Sequence, residues 1–412
     1  MPLVLAAGLF VTATITSSGS DQFRLPKELA FRAEAIVLLA FAVFALTAKR
    51  WVLERRPEFV LAAAIVIWTA ITALTSTNRL LSGDSMITVA AAAVIFVATC
   101  IAASGTRSFV VIDVVMIGAC INAIIVILQE LKVWTPFLPT RETATHMGSA
   151  GLLGNPNDVG TYLAPAALAA IVVALTAGGK RRWIYAAIGA LLVAGVAASA
   201  TRTAVGALIV ALIVALIVFA LFHSKKVALA VVAAFLIIGV VMSSPSMTLG
   251  REVRQLIAAA HTHDYRHLFS ERLVPFLAAI EMTRDHPLLG VGPGCFKYHY
   301  MAYRVALYGK YPVAWTEGYP MNFGEVHNDH LQVAAESGLP GYLLYLAAIA
   351  LCAGWPKRLV DGDEIRAFAH ALRWPLATLV FVISIGQFPL ELAAARLMLL
   401  TLGAICLTWD RD

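Results

Sequence analysis

The sequence predicts an all-α, polytopic integral membrane protein with about twelve transmembrane helices and one large loop containing short helices. Three observations carry that prediction. Sixty per cent of the residues are hydrophobic and only 14% are charged, outside the range of soluble globular chains. Uncharged runs of membrane-spanning length recur, such as "MITVAAAAVIFVATCIAA" at 86–103 and "TAVGALIVALIVALIVFALF" at 203–222. At roughly 1.5 Å rise per residue, about 18–20 such residues cross the hydrocarbon core. Finally, the runs are continuous rather than alternating. That suits helices and excludes a closed barrel, the other fold that satisfies its own backbone in lipid.

The expected spans are, in order, about 3–16, 34–48, 59–75, 86–104, 109–130, 160–177, 183–200, 203–222, 227–243, 341–355, 371–388 and 392–409. The first run lacks a basic leading region and a clear small-residue cleavage site, so it reads as a short span rather than a leader. An even number of spans puts both termini on one side. Fourteen Lys and Arg, among them Lys49, Arg181 and Arg373, fall in one set of short connections; eight, among them Arg24, Arg202 and Arg396, fall in the other. That asymmetry places the first set and both termini in the cytoplasm. The net charge of +6 is then a topology signal, and no nucleic-acid partner is expected. Cys100, Cys120, Cys352 and Cys406 lie in apolar runs and read as small hydrophobes; Cys295 alone lies in a polar region, so no disulfide is suggested.

One connection differs from the rest. Residues 1–243 hold nine spans and 341–412 hold three, leaving 244–340 as a long polar insertion on the non-cytoplasmic side. It contains seven of the ten histidines and seven of the eleven tyrosines, so it concentrates the chain's chemistry. Loops beyond about 12–15 residues are usually functional or disordered. Aromatic residues and helix-like stretches such as "RLVPFLAAIEM" (272–282) argue for order.

Within it, "HNDHLQVAAESGLPG" (327–341) gathers protonatable groups. Asp329 with Gln332 predicts a capping box, and Gly338 with Pro340 a stop, so a short helix of about two to three turns begins just after His327. A helix N-terminus offers free N–H groups and partial positive charge, which suits a phosphate or diphosphate. The same field disfavours imidazolium, leaving a neutral imidazole able to accept a proton. A capped interfacial helix with no chemistry explains the stretch equally well. Arg202 lies in a very short turn on the same face, and Arg272 opens a helix-like segment there. A lone arginine can snorkel or pair locally, with Glu271 or Asp285 in the case of Arg272. Two guanidiniums, however, can grip a diphosphate bidentately.

Four stretches together resemble the O-antigen ligase and polymerase family of bacterial envelope glycan enzymes. "GNPNDVGTYLA" (154–164) is similar to the family's Gly-Asn-Pro-Asn segment, and "SATRTA" (199–204) to its Ser-x-x-Arg turn. "ERLVPFLAAIEMTRDHPLLGVGPGCF" (271–296) resembles its Arg…Pro-x-x-Gly-x-Gly segment, and 327–341 its His-Asn-x-x-Leu…Glu-x-Gly-x-x-Gly segment. The tryptophan usual after the loop arginine is absent; Pro275 and Phe276 occupy that region.

The resemblance implies glycan transfer from undecaprenyl diphosphate, without cofactor or metal, at the periplasmic face of the bacterial inner membrane. Carried onto matching positions, Arg202 and Arg272 hold the diphosphate and His327 activates the acceptor hydroxyl, with Asn328 and His330 beside them as substrate-binding residues. The acceptor is lipid A-core for a ligase or the growing glycan for a polymerase. Protein O-oligosaccharyltransfer is a third branch of the same chemistry.

Other readings fit less well. Zinc on His327, Asp329 and His330 lacks a suitably spaced third ligand. "HTHDYRH" (261–267) reads as a solvated or headgroup-facing surface, and "GVGPG" (290–294) as a turn without the P-loop lysine. Tyrosines 298–319 and Trp315 suit the loop's own core better than sugar stacking. "DGDE" (361–364) reads as a cytoplasmic loop, and Asn155–Asn157 as a turn that caps a span. A transporter of lipid-linked glycans would carry ionisable groups near the midplane, yet 86–104, 203–222 and 227–243 are clean inside.

Overall fold

The structure, a computed structural model, describes residues 1–18, 21–48, 56–103, 108–134, 149–222, 248–269, 271–316, 322–354 and 363–408. Among these the regular structure is helical, with only an isolated bridge between Tyr308 and Tyr311 in place of strands. The chain runs α1 (Pro2–Thr14), α2 (Arg24–Thr47), α3 (Pro57–Thr75), α4 (Arg79–Ala102), α5 (Ser108–Glu130), α6 (Pro156–Thr176), α7 (Gly179–Ala198) and α8 (Arg202–Phe222). The large loop contributes α9 (Thr248–Thr262), α10 (Tyr265–Leu268), α11 (Leu273–Asp285), α12 (Phe296–Leu307) and α13 (Val313–Thr316). Then come α14 (Asp329–Ala353), α15 (Glu364–Ile383), a 3₁₀ turn at Pro389–Glu391 and α16 (Ala393–Thr408).

Among the described residues, eight helices are long and apolar enough to cross a membrane: α3 to α8, α14 and α15. The chain is therefore an all-α, polytopic membrane protein, as its composition predicts. The helices α1 and α16, of 13 and 16 residues, are apolar but shorter than the bilayer core. The span expected at 227–243 lies outside the described residues.

Small residues set the packing. At the centre, α6 is buried along nearly its whole length, and its alanines let α5, α7, α8, α15 and α16 approach closely. A Cβ at Gly195 would stand 2.8 Å from that of Ala123, so α5 and α7 touch almost backbone to backbone. Asn155 caps α6 by accepting from the Asn157 N–H at 2.8 Å, with Pro156 at the first helical position. This is the turn and cap expected there.

The cap expected at Asp329 lies one residue earlier. Asn328 Oδ1 accepts from the Leu331 N–H at 2.9 Å. Asp329 is instead buried, accepting from the Leu390 N–H at 3.1 Å, while Gln332 Oε1 accepts from the Val326 N–H at 3.0 Å. The short helix stops as expected: Gly338 leaves helical geometry (φ 68°, ψ 178°), and the apolar half of α14 resumes behind Pro340.

The described residues of the large loop pack around a core of their own, in which Val274, Ala278, Met282, Phe296, Tyr300 and Phe323 meet. Two glycine motifs join it to α14. Val291 and Gly292 donate N–H bonds to the carbonyls of Ala335 and Glu336, at 2.9 and 3.0 Å. The Glu336 carboxylate accepts from the Gly294 and Phe296 N–H groups, at 2.8 and 3.0 Å, and so caps α12.

Candidate functional site

Four elements converge on the turn Ser384–Glu391 between α15 and α16. The N-terminus of α14 clamps it. Asn328 Nδ2 donates to the Ile385 carbonyl at 2.8 Å, and the Asp329 N–H donates to the Ser384 carbonyl at 3.0 Å. The Ala200–Thr201 turn positions Arg202 at the start of α8. There Ala200 takes a left-handed conformation (φ 54°), and Thr201 Oγ1 donates to the Pro156 carbonyl at 2.8 Å. The next residue, Thr203, packs so closely that a Cβ on Gly386 would stand 2.7 Å from its Oγ1.

Arg272 immediately precedes α11, and its Nη1 donates to the Gly386 carbonyl. It is buried, and burial first, then the charge of Arg202, pushes its guanidinium down to about 10, with Asp158 opposing. It stays charged at neutral pH. Arg202 and Arg272 are thus within electrostatic reach of one another, and a pair of like charges in a partly desolvated site favours an anion between them. Arg202 Nε lies 3.7 Å from Glu252 Oε2 of α9.

His327 adopts a left-handed backbone (φ 60°) and places its ring edge-on to Phe388, with centroids 4.5 Å apart, and to Phe323 at 5.9 Å. The three residues singled out from sequence therefore border one turn: Arg202 through Thr203, Arg272 through Gly386 and His327 through Phe388. Two others are placed differently. Asn328 spends its side chain on the helix cap and the Ile385 carbonyl. His330 lies between α14 and α15, with Nε2 2.9 Å from the Phe381 carbonyl and Nδ1 3.3 Å from the Tyr342 hydroxyl.

Arg24 belongs to the site although its sequence position signalled only topology. Its guanidinium lies 5.3 Å from the Phe388 ring centroid, on the residue that also faces His327. It pairs with Asp158 at 3.1 Å and Glu325 at 3.2 Å. Asn157 accepts from Gln387 Nε2 at 3.3 Å. The one sequence signal was Asp158, an acid in the first turn of an apolar span. A cavity of about 630 Å³ adjoins on this side, with Arg24, Asp158 and Glu325 among its charged lining residues and Phe96, Leu399 and Leu407 among its apolar ones. Arg202, Arg272 and His327 lie outside its lining.

Among the described residues no group of three His, Cys, Asp or Glu is arranged to hold a metal ion. His261, His263 and His267 are exposed, and His267 Nδ1 lies 2.8 Å from Asp264 Oδ2. Tyr300 is fully buried in the loop core, Tyr298 and Tyr308 are exposed, and Tyr319 lies outside the described residues. Asp363 caps α15, and Glu364 pairs with Arg181 at 3.1 Å.

Residues 187–346 match the model of a protein family described as O-Antigen ligase. Over those residues the chain is similar to the O-antigen ligase family. Arg202, Arg272 and His327 all fall within the matched segment, whereas Arg24, Asp158 and the 384–391 turn fall outside it. A search of curated proteins found no match. The match supports, in general terms, a function of the ligase or polymerase kind.

Proposed function

We propose that the chain is an inverting, metal-independent glycosyltransferase that moves a glycan from undecaprenyl diphosphate to an acceptor hydroxyl, ligating O-antigen to lipid A-core. The observation that carries this reading is that Arg272, His327 and Thr203, the residue after Arg202, all border the Gly386–Phe388 turn. The reaction lies at the periplasmic face of the bacterial inner membrane, in the loop of residues 244–340 and the helix start that follows it, with both termini cytoplasmic.

A diphosphate is already a good leaving group, so the protein must supply charge stabilisation and one base. Arg202 and Arg272 hold the diphosphate oxygens. His327 takes the proton of the acceptor hydroxyl as its oxygen attacks the anomeric carbon from the face opposite the diphosphate. The new glycosidic bond forms, the bond from the anomeric carbon to the diphosphate oxygen breaks, and undecaprenyl diphosphate departs with both electrons. The anomeric configuration inverts.

The test is to incubate purified protein with undecaprenyl-diphosphate glycan and candidate acceptors. A shift of the lipid A-core band with inverted linkage supports the proposal. A longer glycan on the same lipid makes the protein a polymerase, and glycan on a polypeptide makes it an O-oligosaccharyltransferase. A product that retains the donor's configuration overturns the single-displacement mechanism.

A further inference from the structure

The chemistry proposed above does not use α9, yet α9 is built as an amphipathic helix. Projected at 100° per residue, Leu249, Leu256, Ala260, Val253 and Ile257 form one apolar arc. The bundle covers only part of it. Leu249 is buried, while Val253 and Ile257 are 38% and 53% exposed. The fully charged side chains on the exposed polar flank, Arg251 and Arg254, are both basic, and Glu252 lies on the inner side against Arg202.

Its anchors fix where that uncovered edge sits. The Thr248 N–H and Oγ1 donate to the Glu130 carboxylate, at 2.8 and 3.0 Å, where the α5 span ends. Glu252 meets Arg202, where the α8 span begins. Both span ends lie at one membrane face, so the first turn of α9 is held at that boundary. An apolar edge with a basic flank, continuous with the ends of two spans, is complementary to an anionic lipid surface.

We propose that α9 lies in the membrane interface, with Val253 and Ile257 in the acyl boundary and Arg251 and Arg254 on anionic headgroups. Through Glu252, the lipid surface then becomes part of the support of Arg202. That consequence rests on the glycosyltransferase reading; the docking itself does not.

The test uses the full-length protein in nanodiscs containing phosphatidylglycerol brominated near the top of the acyl chains. Ile257→Cys and Gln255→Cys variants are labelled with bimane, and the signal from the native cysteines is subtracted using unsubstituted protein labelled in parallel. Gln255 is exposed on the opposite side of the helix. The proposal expects bimane at position 257 to be quenched several-fold more than at 255. It also expects that difference to shrink in zwitterionic lipid and when Arg251→Gln and Arg254→Gln are added. Equal quenching at the two positions overturns the docking, and indifference to headgroup charge overturns the anionic preference. Neither result depends on whether the protein transfers glycans.

Discussion

The imidazole of His327 stands edge-on to the ring of Phe388, with the ring centroids 4.5 Å apart, and the guanidinium of Arg24 lies 5.3 Å from the same ring. Phe388 therefore fixes the histidine from one side and is itself held from another. If His327 is the base, Phe388→Ala leaves the base present but loosely aimed. Rate losses from such misplacement reach about 10²-fold, and loss of a general base costs about 10²–10⁴-fold. Phe388→Ala should lower kcat less than His327→Ala does, with little change in donor KM. Steady-state kinetics of glycan transfer would distinguish this from a purely structural role, for which both variants would lose activity only as they lose folded protein.

Arg272 spends one nitrogen on the Gly386 carbonyl and carries a charge that Arg202 opposes. A lysine would keep the charge and lose the planar fork. Arg272→Lys should therefore raise the Kd for undecaprenyl diphosphate nearly as much as Arg272→Ala does. Equal affinity for the wild type and the lysine variant would mean that the fork is not used.

Gly290 and Gly338 meet across the junction between the loop and α14. A Cβ at Gly290 would lie 2.3 Å from the Glu336 carbonyl carbon, and one at Gly338 would lie 2.2 Å from the Leu288 carbonyl oxygen. Both residues also have positive φ, 65° and 68°. Backbone strain of this kind costs about 1–3 kcal/mol, and the clash with rigid backbone adds to it. Gly338→Ala should lower the Tm in detergent clearly more than Gly309→Ala, where φ is 82° but nothing lies near the added methyl.

The loop core has an acid-sensitive clasp at Glu281. Burial pushes its carboxyl up, but hydrogen bonds from Lys310 and Tyr311 and the charges of Lys310 and Arg284 outweigh that and leave it below the usual value of 4.5. A depressed folded-state pKa gives stability that is present above about 4.5 and is lost as pH falls through the depressed value. Thermal melts at a series of pH values should show this acid loss in wild type and a weaker one in Glu281→Gln. Parallel curves would remove Glu281 from the account.

Arg396 ties the start of α16 to α2. It pairs with Glu28, donates to the Leu390 carbonyl at 2.7 Å and sits 4.3 Å from the Phe31 ring centroid. Its side chain is 7% exposed, whereas Glu28 is 22% exposed and also holds Arg32 at 3.1 Å and the Thr88 hydroxyl at 2.7 Å, so it keeps partners when Arg396 is removed. Arg396→Ala, which removes its charged hydrogen bonds to Glu28 and Leu390, should destabilise by about 1.5–3 kcal/mol. Chemical unfolding of Arg396→Ala measures it; an unchanged unfolding midpoint would mean that this tie does not hold α16.

Span positions were legible because apolar length is a property of the local sequence. The runs at 86–103 and 203–222 became α4 and α8 with only their polar ends extended. The break at Gly338 was legible for the same reason. The cap at Asn328 was not, because Asp329 is drawn inward by Leu390 and Ser384, which lie more than fifty residues away. Arg24 was likewise invisible as a site residue. Its meaning comes from Asp158, Glu325 and Phe388, which no spacing rule connects to it. Arg202, Arg272 and His327 were identifiable as residue types on one face, but the Ser384–Glu391 turn that joins them was not.

The most direct measurement of the central claim combines binding with turnover for Arg202→Ala, Arg272→Ala and His327→Ala in matched nanodiscs. If the two guanidiniums hold the diphosphate and the imidazole takes the proton, both arginine variants bind undecaprenyl diphosphate more weakly. The histidine variant then binds it as wild type does, and all three transfer glycan far more slowly. Full transfer by His327→Ala, or unchanged diphosphate affinity in both arginine variants, would contradict the account.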